Sequence, residues 1–356
     1  MRRKLVGYTR HIGAALLCLL CLGILSACTA AESDSISEQP TPGDTADVTL
    51  VIGAYSVVKD AMADLLPRFR EEYKEKTGQT IRFQESYEAS GTQARAIAGG
   101  FEADVTLLAM EGDVQKLVDA GLVAPSWKER PYGGMITRSI VVMGVREGNP
   151  RGIRDFPDLT KPGVKVLYPN PKTSGGAQWD INALYGAGLK MSERQGEKSP
   201  AAAKQFLVDV HRNVESLDKS GRASMAAFEY GVGDVIITYE NELLARIAKS
   251  VKYEVIIPRD TIRIENPAAI VDANVEKHGN REAAEALLDY LQSDEAQRIF
   301  AKHGFRSVNE QVLAAEKERF PDPVDLFDIE YLGGWDAVRE TLYSKRGVWY
   351  QVLAGL

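Results

Sequence analysis

Residues 168–179 read Tyr-Pro-Asn-Pro-Lys-Thr-Ser-Gly-Gly-Ala-Gln-Trp. The apolar run 164–168 predicts a strand that ends at the two prolines, and residues 178–189 carry apolar side chains at helical spacing. Ser174, Gly175 and Gly176 therefore lie where a helix begins and its first N–H groups have no intrahelical acceptor. Because glycine permits close approach and the helix dipole adds roughly half a positive charge, this turn suits an anion, although an ordinary strand-to-helix loop has the same pattern.

Strands and helices alternate along the rest of the chain. Residue periodicity predicts strands at 48–52, 80–85, 104–109, 139–145, 164–168, 234–239, 254–257 and 268–272. It predicts helices at 60–76, 91–99, 112–120, 178–189, 201–213 and 281–302. This order indicates an α/β fold in which mostly parallel sheets are flanked by helices. Residues 320–356 fit no clear period.

About 300 residues remain after residue 47, which is more than one hydrophobic core usually fills, so we predict two lobes. Lobe I comprises residues 48–138 plus 258–356, and lobe II comprises residues 139–257. Two chain crossings would form a hinge, with a cleft facing the carboxyl ends of the strands.

The first 28 residues have the pattern of a secretory signal. A basic start precedes the apolar run 12–25, and the segment ends in Leu-Ser-Ala-Cys at 25–28, a lipobox that predicts lipidation of Cys28. The alternative is plain cleavage after Ala27 with Cys28 unmodified. Residues 29–47 are polar and predict a disordered tether. We therefore expect an exported protein, lipid-anchored on the outer face of the cytoplasmic membrane.

Composition argues against several other functions. Cys18 and Cys21 lie in the predicted signal and Cys28 is the predicted lipidation site, so we expect no internal disulfide. Removal of the signal takes four basic residues and no acidic ones, so the formal charge moves from −7 to −11, which disfavours nucleic acid as a partner. His11, His211, His278 and His303 are scattered, which predicts no metal site, and no cofactor motif is present.

One enzymatic alternative rests on two carboxylates. Glu240 and Glu242 follow a strand and would form the pair of a surface hydrolase, although solvated carboxylates at a helix start explain them better. We therefore predict that the protein is not an enzyme.

Three further turns repeat the strand-to-helix arrangement. Ser56 precedes the first helix, Ser90 and Gly91 the second, and Gly221 lies in a Ser-Gly-Arg-Ala-Ser turn at 220–224. Together with the turn at Ser174 they predict a cleft lined with neutral hydrogen-bond donors.

These residues carry a family likeness. The chain resembles the sulfate-binding proteins of ABC-type sulfate/thiosulfate importers, which are type II-like periplasmic binding proteins. The likeness runs from residue 50 to about 340 and rests on 88–93 (Glu-Ala-Ser-Gly-Thr-Gln), 169–177 (Pro-Asn-Pro-Lys-Thr-Ser-Gly-Gly-Ala), 233–235 (Gly-Asp-Val), 240–242 (Glu-Asn-Glu) and 333–335 (Gly-Gly-Trp).

In that family uncharged groups of both lobes hold the dianion, largely backbone N–H groups and serine hydroxyls. The resemblance implies sulfate-binding roles for Ser56, Ser90, Ser174, Gly175, Gly176, Gly221 and Tyr239. It also implies ABC permease subunits as partners, and we expect a monomer without a cofactor.

Two positions depart from the better-known members. Ser56 stands where they have Asp, and Tyr239 where they have a Trp whose ring N–H reaches the ligand. Sulfate carries no proton at neutral pH, so a pocket that contains only hydrogen-bond donors suits it. Phosphate keeps a hydroxyl at this pH, and that hydroxyl would find no acceptor in such a pocket. Thiosulfate, an organosulfonate or another oxyanion remains the alternative.

Overall fold

A computed structural model describes residues 47–355. Its strands are arranged around two long strands, at 135–146 and 260–270. Within that span the ten strands are β1 Val48–Tyr55, β2 Ile81–Glu88, β3 Val105–Leu107, β4 Met135–Arg146, β5 Val166–Pro169, β6 Val214–Asp218, β7 Val235–Tyr239, β8 Tyr253–Ile256, β9 Asp260–Ile270 and β10 Asp325–Phe327. Their order is β2-β1-β3-β9-β4-β7-β5-β6, with β10 beside β9 and β8 beside β4.

Helices cover the strands. Within the same span the α-helices are α1 Lys59–Thr77, α2 Ser90–Ala98, α3 Glu111–Asp119, α4 Gly175–Glu193, α5 Pro200–His211, α6 Gly221–Glu229, α7 Glu240–Ile247, α8 Asp272–His278, α9 Arg281–Leu291, α10 Asp294–Lys302, α11 Glu310–Ala315, α12 Gly334–Val338 and α13 Val348–Leu353. Of the 19 residues of α4, most are buried, so it is an internal helix whose apolar side chains contact the sheet and the end of the chain.

Strands β4 and β9 run antiparallel and join two groups of parallel strands. Residues 135–140 of β4 pair with β9, whereas residues 141–145 pair with β7. Residues 268–270, at the end of β9, pair with β3. The group β1, β2 and β3 is parallel, as is the group β5, β6 and β7. This arrangement confirms the predicted α/β class, with two chain crossings between the two strand groups.

Residues 47–355 form one compact unit. The bounds given above for lobes I and II therefore stay a prediction. The predicted signal, the lipobox with Cys28 and the tether before Asp47 lie outside the described residues.

Several elements differ from the sequence prediction. The helix predicted at 281–302 is two helices, because the Ser293 Oγ accepts from the N–H of Ala296 at 3.2 Å and starts α10. Strand β9 begins at Asp260, well before residue 268, and Asp272 belongs to α8. Strand β6 was not predicted.

The segment after Phe320 is built from short helices and β10. Its Trp349 is buried against Tyr168 and His211, with ring centroids 6.2 and 5.3 Å away, and Trp335 packs edge-on against Trp179. These contacts place Trp335 and Trp349 against β5, α4 and α5. Among the described residues no helix is both long and apolar enough to span a membrane.

Candidate functional site

A cavity of about 20 Å³ lies where β1 and β7 end and where α2, α4 and α6 begin. Since one water needs about 10–15 Å³ of such space, the cavity is larger than a single water requires. All seven residues implicated by the family likeness line it, namely Ser56, Ser90, Ser174, Gly175, Gly176, Gly221 and Tyr239. The structure thus brings them together, and their role in binding stays a prediction.

The turn at Ser174 begins α4. The Ser174 Oγ accepts from the N–H of Ala177 at 3.3 Å, and the backbone N–H of Ser174 donates to the carbonyl of Asn170 at 2.9 Å. The hydroxyl proton of Ser174 and the N–H groups of Gly175 and Gly176 are therefore the donors that this turn offers a ligand.

Gly175 lies against the first group of strands. A Cβ at this position would lie 2.9 Å from the Cβ of Ala109 and 3.3 Å from both Ser90 Cβ and Asp113 Oδ2. Only a glycine lets the start of α4 approach α2 this closely.

Ser90 begins α2, and its hydroxyl is already paired. It donates to Asp113 Oδ2 at 2.5 Å and accepts from the N–H of Ala109 at 2.9 Å. The expectation that serine hydroxyls serve the ligand therefore does not hold for Ser90 in this structure, which leaves its backbone N–H for that purpose.

The start of α6 closes the opposite side. The Ser220 Oγ accepts from the N–H of Ala223 at 3.2 Å, which leaves the N–H of Gly221 at the first helical position. Across the cavity, the carbonyl of Ser56 accepts from Arg222 Nη2 at 3.0 Å. Ser220 lines the cavity as well; it belongs to the turn at 220–224 that was predicted to line the cleft, but it was not among the predicted binding residues.

Two phenols complete the lining. Tyr55 and Tyr239 are 3% and 4% exposed, and within residues 47–355 their hydroxyls have no hydrogen-bond partner. Burial raises the pKa of Tyr55 and raises that of Tyr239 well above its ordinary value, so both keep their protons. Tyr239 therefore presents an O–H donor at the cavity.

The lining also contains carboxyl groups, which corrects the prediction of a cleft with neutral donors alone. Asp180 and Glu242 both line the cavity. Glu242 is paired with Arg246 at 2.7 Å, whereas Asp180 Oδ1 has no partner among the described residues. The sequence signal was an acidic residue inside an otherwise apolar helix, between Trp179 and Ile181.

The hydrolase alternative required Glu240 and Glu242 to act together. Glu240 binds Arg306 through two bonds, with Oε2 at 2.7 Å from Nε and Oε1 at 2.9 Å from Nη2. Burial raises the pKa of Glu240, and Arg306 opposes that effect. Each carboxylate is thus held by its own arginine, and the geometry does not favour paired acid–base chemistry.

The carbonyl of Ala109, after β3, ties both strand groups together. It accepts from the indole Nε1 of Trp179 at 2.7 Å and from Asn266 Nδ2 at 2.9 Å. Trp179 lies on α4 and Asn266 on β9, so this carbonyl fixes the start of α4 beside the crossing strands. Within the described span no group of three or more His, Cys, Asp or Glu side chains could hold a metal ion.

Residues 50–306 match the family described as bacterial extracellular solute-binding protein. The chain belongs to this family. Because its members are binding components of transport systems, the prediction that the chain is not an enzyme is confirmed.

Sequence relatives include a sulfate-binding protein of Synechococcus elongatus, which is 42% identical over 88% of this chain and 89% of its own length. A thiosulfate-binding protein of Pseudomonas aeruginosa is 37% identical over 84% of this chain and 90% of its own length. Among solved structures, the sulfate-binding protein SubI from Mycobacterium tuberculosis matches with a TM-score of 0.77 and 32% identity, covering 83% of this chain and all of that one. The predicted resemblance and the two-lobed fold are thereby confirmed.

Proposed function

We propose that the protein is the extracytoplasmic solute-binding component of an ABC importer and that it captures sulfate in the cavity at the starts of α2, α4 and α6. One observation carries this proposal: three helix N-termini and two protonated phenols meet at a single cavity of about 20 Å³. The sulfate-binding relatives support the same ion.

The donors match the chemistry of sulfate. At neutral pH the ion has four acceptor oxygens and no proton, and each helix N-terminus presents N–H groups together with a partial positive charge. Neutral donors hold the dianion without a buried counter-ion, whose desolvation would be costly. Thiosulfate is the second candidate, since a thiosulfate-binding protein is 37% identical.

Capture requires the groups on both sides of the cavity at once. The Ser174 turn and Gly221 belong to the β5–β7 side, whereas Ser56 and Ser90 belong to the β1–β3 side. We infer that the two sides close over the ion and that permease subunits of the importer recognise the closed monomer.

Export and anchoring complete the proposal. The basic start, the apolar run and the lipobox ending at Cys28 support a lipid anchor on the outer face of the cytoplasmic membrane. A polar tether over residues 29–47 would leave the domain free to reach the importer.

Isothermal titration of the purified protein with sulfate, thiosulfate, phosphate and molybdate tests the proposed ion. We expect sulfate to bind most tightly. Absence of binding heat with sulfate at two temperatures would overturn the proposal, and tighter binding of thiosulfate would favour the second candidate.

A further inference from the structure

Asp180 is the carboxyl group of the cavity that the proposed function leaves unexplained. It lies on α4, is 1% exposed and lines the cavity, and within residues 47–355 its Oδ1 has no hydrogen-bond partner. A buried polar atom without a partner is rare, which indicates a missing ligand contact.

The neighbouring carboxylates differ from Asp180 because each has a cation. Asp113 is paired with Lys116 at 2.6 Å and Glu242 with Arg246 at 2.7 Å. No salt bridge among the described residues includes Asp180, so an ionised form would be a buried charge without compensation.

The groups that face Asp180 give it no positive charge. The phenols close enough to Asp180 to interact with its charge come from three elements: Tyr168 on β5, Tyr239 on β7 and Tyr343 near the end of the chain. Tyr55, Asp113 and Glu242 add acidic or phenolic groups from β1, α3 and α7. The nearby cations Lys116, Arg222 and Arg246 are engaged by other partners.

Burial raises the pKa of Asp180 well above its ordinary value. Burial without a paired cation therefore favours the neutral carboxylic acid, which has an O–H to donate, in a cavity proposed to bind a dianion. An ionised Asp180 would instead repel a dianion and accept from the hydroxyl of hydrogen phosphate.

We propose that Asp180 contacts the bound oxyanion as a protonated carboxylic acid, that it donates one hydrogen bond to the ion, and that it thereby selects a fully deprotonated ligand. This inference rests on the proposed function, because it takes the cavity as the anion site. It adds a specificity-determining residue that the family likeness does not assign.

The test compares two substitutions by titration with sulfate, thiosulfate and phosphate. Asp180→Asn keeps the shape and a donating N–H, and we expect it to retain the affinity for sulfate. Asp180→Leu keeps the branching and the number of side-chain heavy atoms without a donor, and we expect affinity to fall about tenfold to a hundredfold. Asp209→Asn on α5, outside the cavity, is the control and should leave the affinities for all three anions unchanged.

A second measurement tests the protonation state without a ligand. Urea unfolding of the unmodified protein and of Asp180→Asn is followed at pH 5 and pH 8. A raised pKa of Asp180 gives the unmodified protein stability that is present at low pH and is lost as pH rises, whereas Asp180→Asn has no such group. The folding equilibrium constant of the variant, relative to that of the unmodified protein, should therefore rise by up to about tenfold per pH unit. A difference that does not change with pH would overturn the neutral acid.

The outcomes separate the two proposals. If the unmodified protein binds sulfate or thiosulfate and Asp180→Leu binds it equally well, the inference fails and the proposed function stands. If phosphate binds more tightly than sulfate, Asp180 acts as an acceptor and the inference is overturned. If the unmodified protein binds none of the three anions, the proposed function and this inference both fail.

Discussion

Arg222 on α6 donates from Nη2 to the carbonyl of Ser56 at 3.0 Å, across the cavity from one strand group to the other. The same guanidinium lies 3.4 Å from Asp60 Oδ1, and Lys249 reaches the other oxygen of that carboxylate at 3.1 Å. Two cations of one side are thus held by a single acidic residue at the start of α1.

Asp60→Asn should weaken sulfate binding by at most about fivefold, because the pairs are partly exposed and hold the closed form together only modestly. Burial acts to raise the pKa of Asp60, but Lys249 and Arg222 outweigh it, so the pKa is lowered. The contribution is therefore present at neutral pH and lost as pH falls through that lowered pKa. Titration and small-angle scattering would check affinity and closure. Asp64→Asn, on the same helix but paired with His303, should leave both unchanged.

Gly175→Ala should weaken sulfate binding at least about tenfold, because its Cβ would lie 2.9 Å from the Cβ of Ala109 and would push α4 away from α2. Calorimetry would measure the affinity. Gly112→Ala is the matched control, since its Cβ would meet Met110 and Trp335 at ordinary contact distances of 3.6 and 3.8 Å. Equal affinities of the two variants would show that the close approach at Gly175 is not needed.

Ser174→Ala should lower affinity by about 1–3 kcal/mol through loss of a donor. The sequence alone predicts that the unfolding of the free protein stays nearly unchanged. The structure corrects this expectation: the Ser174 Oγ also caps α4, so the variant should lose about 0.5–2 kcal/mol of stability as well. Ser199→Ala removes an equivalent cap, at 3.3 Å from the N–H of Ala202, outside the cavity. It should reduce stability alone, and unaltered affinity of Ser174→Ala would remove this hydroxyl from the site.

Tyr239→Phe should reduce affinity by about 1–3 kcal/mol without destabilising the free protein, since the lost hydroxyl has no partner among the described residues. Titration and thermal unfolding would show the two effects separately. Tyr290→Phe is the control. Its hydroxyl is also buried without a partner in the described span, and burial raises its pKa to about 12. Tyr290 lies on α9, away from the cavity. A full-affinity Tyr239→Phe would mean that the phenol does not replace the indole donor.

Cys28→Ser should shift the protein from the membrane fraction to the soluble exported fraction, because the lipid-bearing thiol is lost. Cell fractionation with immunodetection would measure this, with Cys21→Ser as the control inside the signal. Continued membrane association of Cys28→Ser would contradict a lipid anchor at this residue.

Sequence periodicity was sufficient for the start of α4, because the apolar run 164–168 is followed by a capping serine and two glycines. The positions of Ser174, Gly175 and Gly176 at the start of α4 follow directly from that pattern. Their meeting with Ser56 and Gly221 depends on how two strand groups cross, which local sequence does not encode.

Other features escaped prediction for identifiable reasons. Strand β9 carries Arg263 and Glu265 among its apolar residues, so its first half lacks an apolar run. The break before α10 depends on one capping bond of Ser293. Asp180 was overlooked because helical periodicity marks its face as buried without showing what it faces.

The carbonyl of Ala109 bears on how the ion leaves. Moving α4 away from the end of β3 would leave the buried indole N–H of Trp179 without its acceptor, at a cost of about 1–3 kcal/mol. If the two sides open to release the proposed ion, that opening must break a hydrogen bond between Trp179 and Ala109 that makes no contact with the ion.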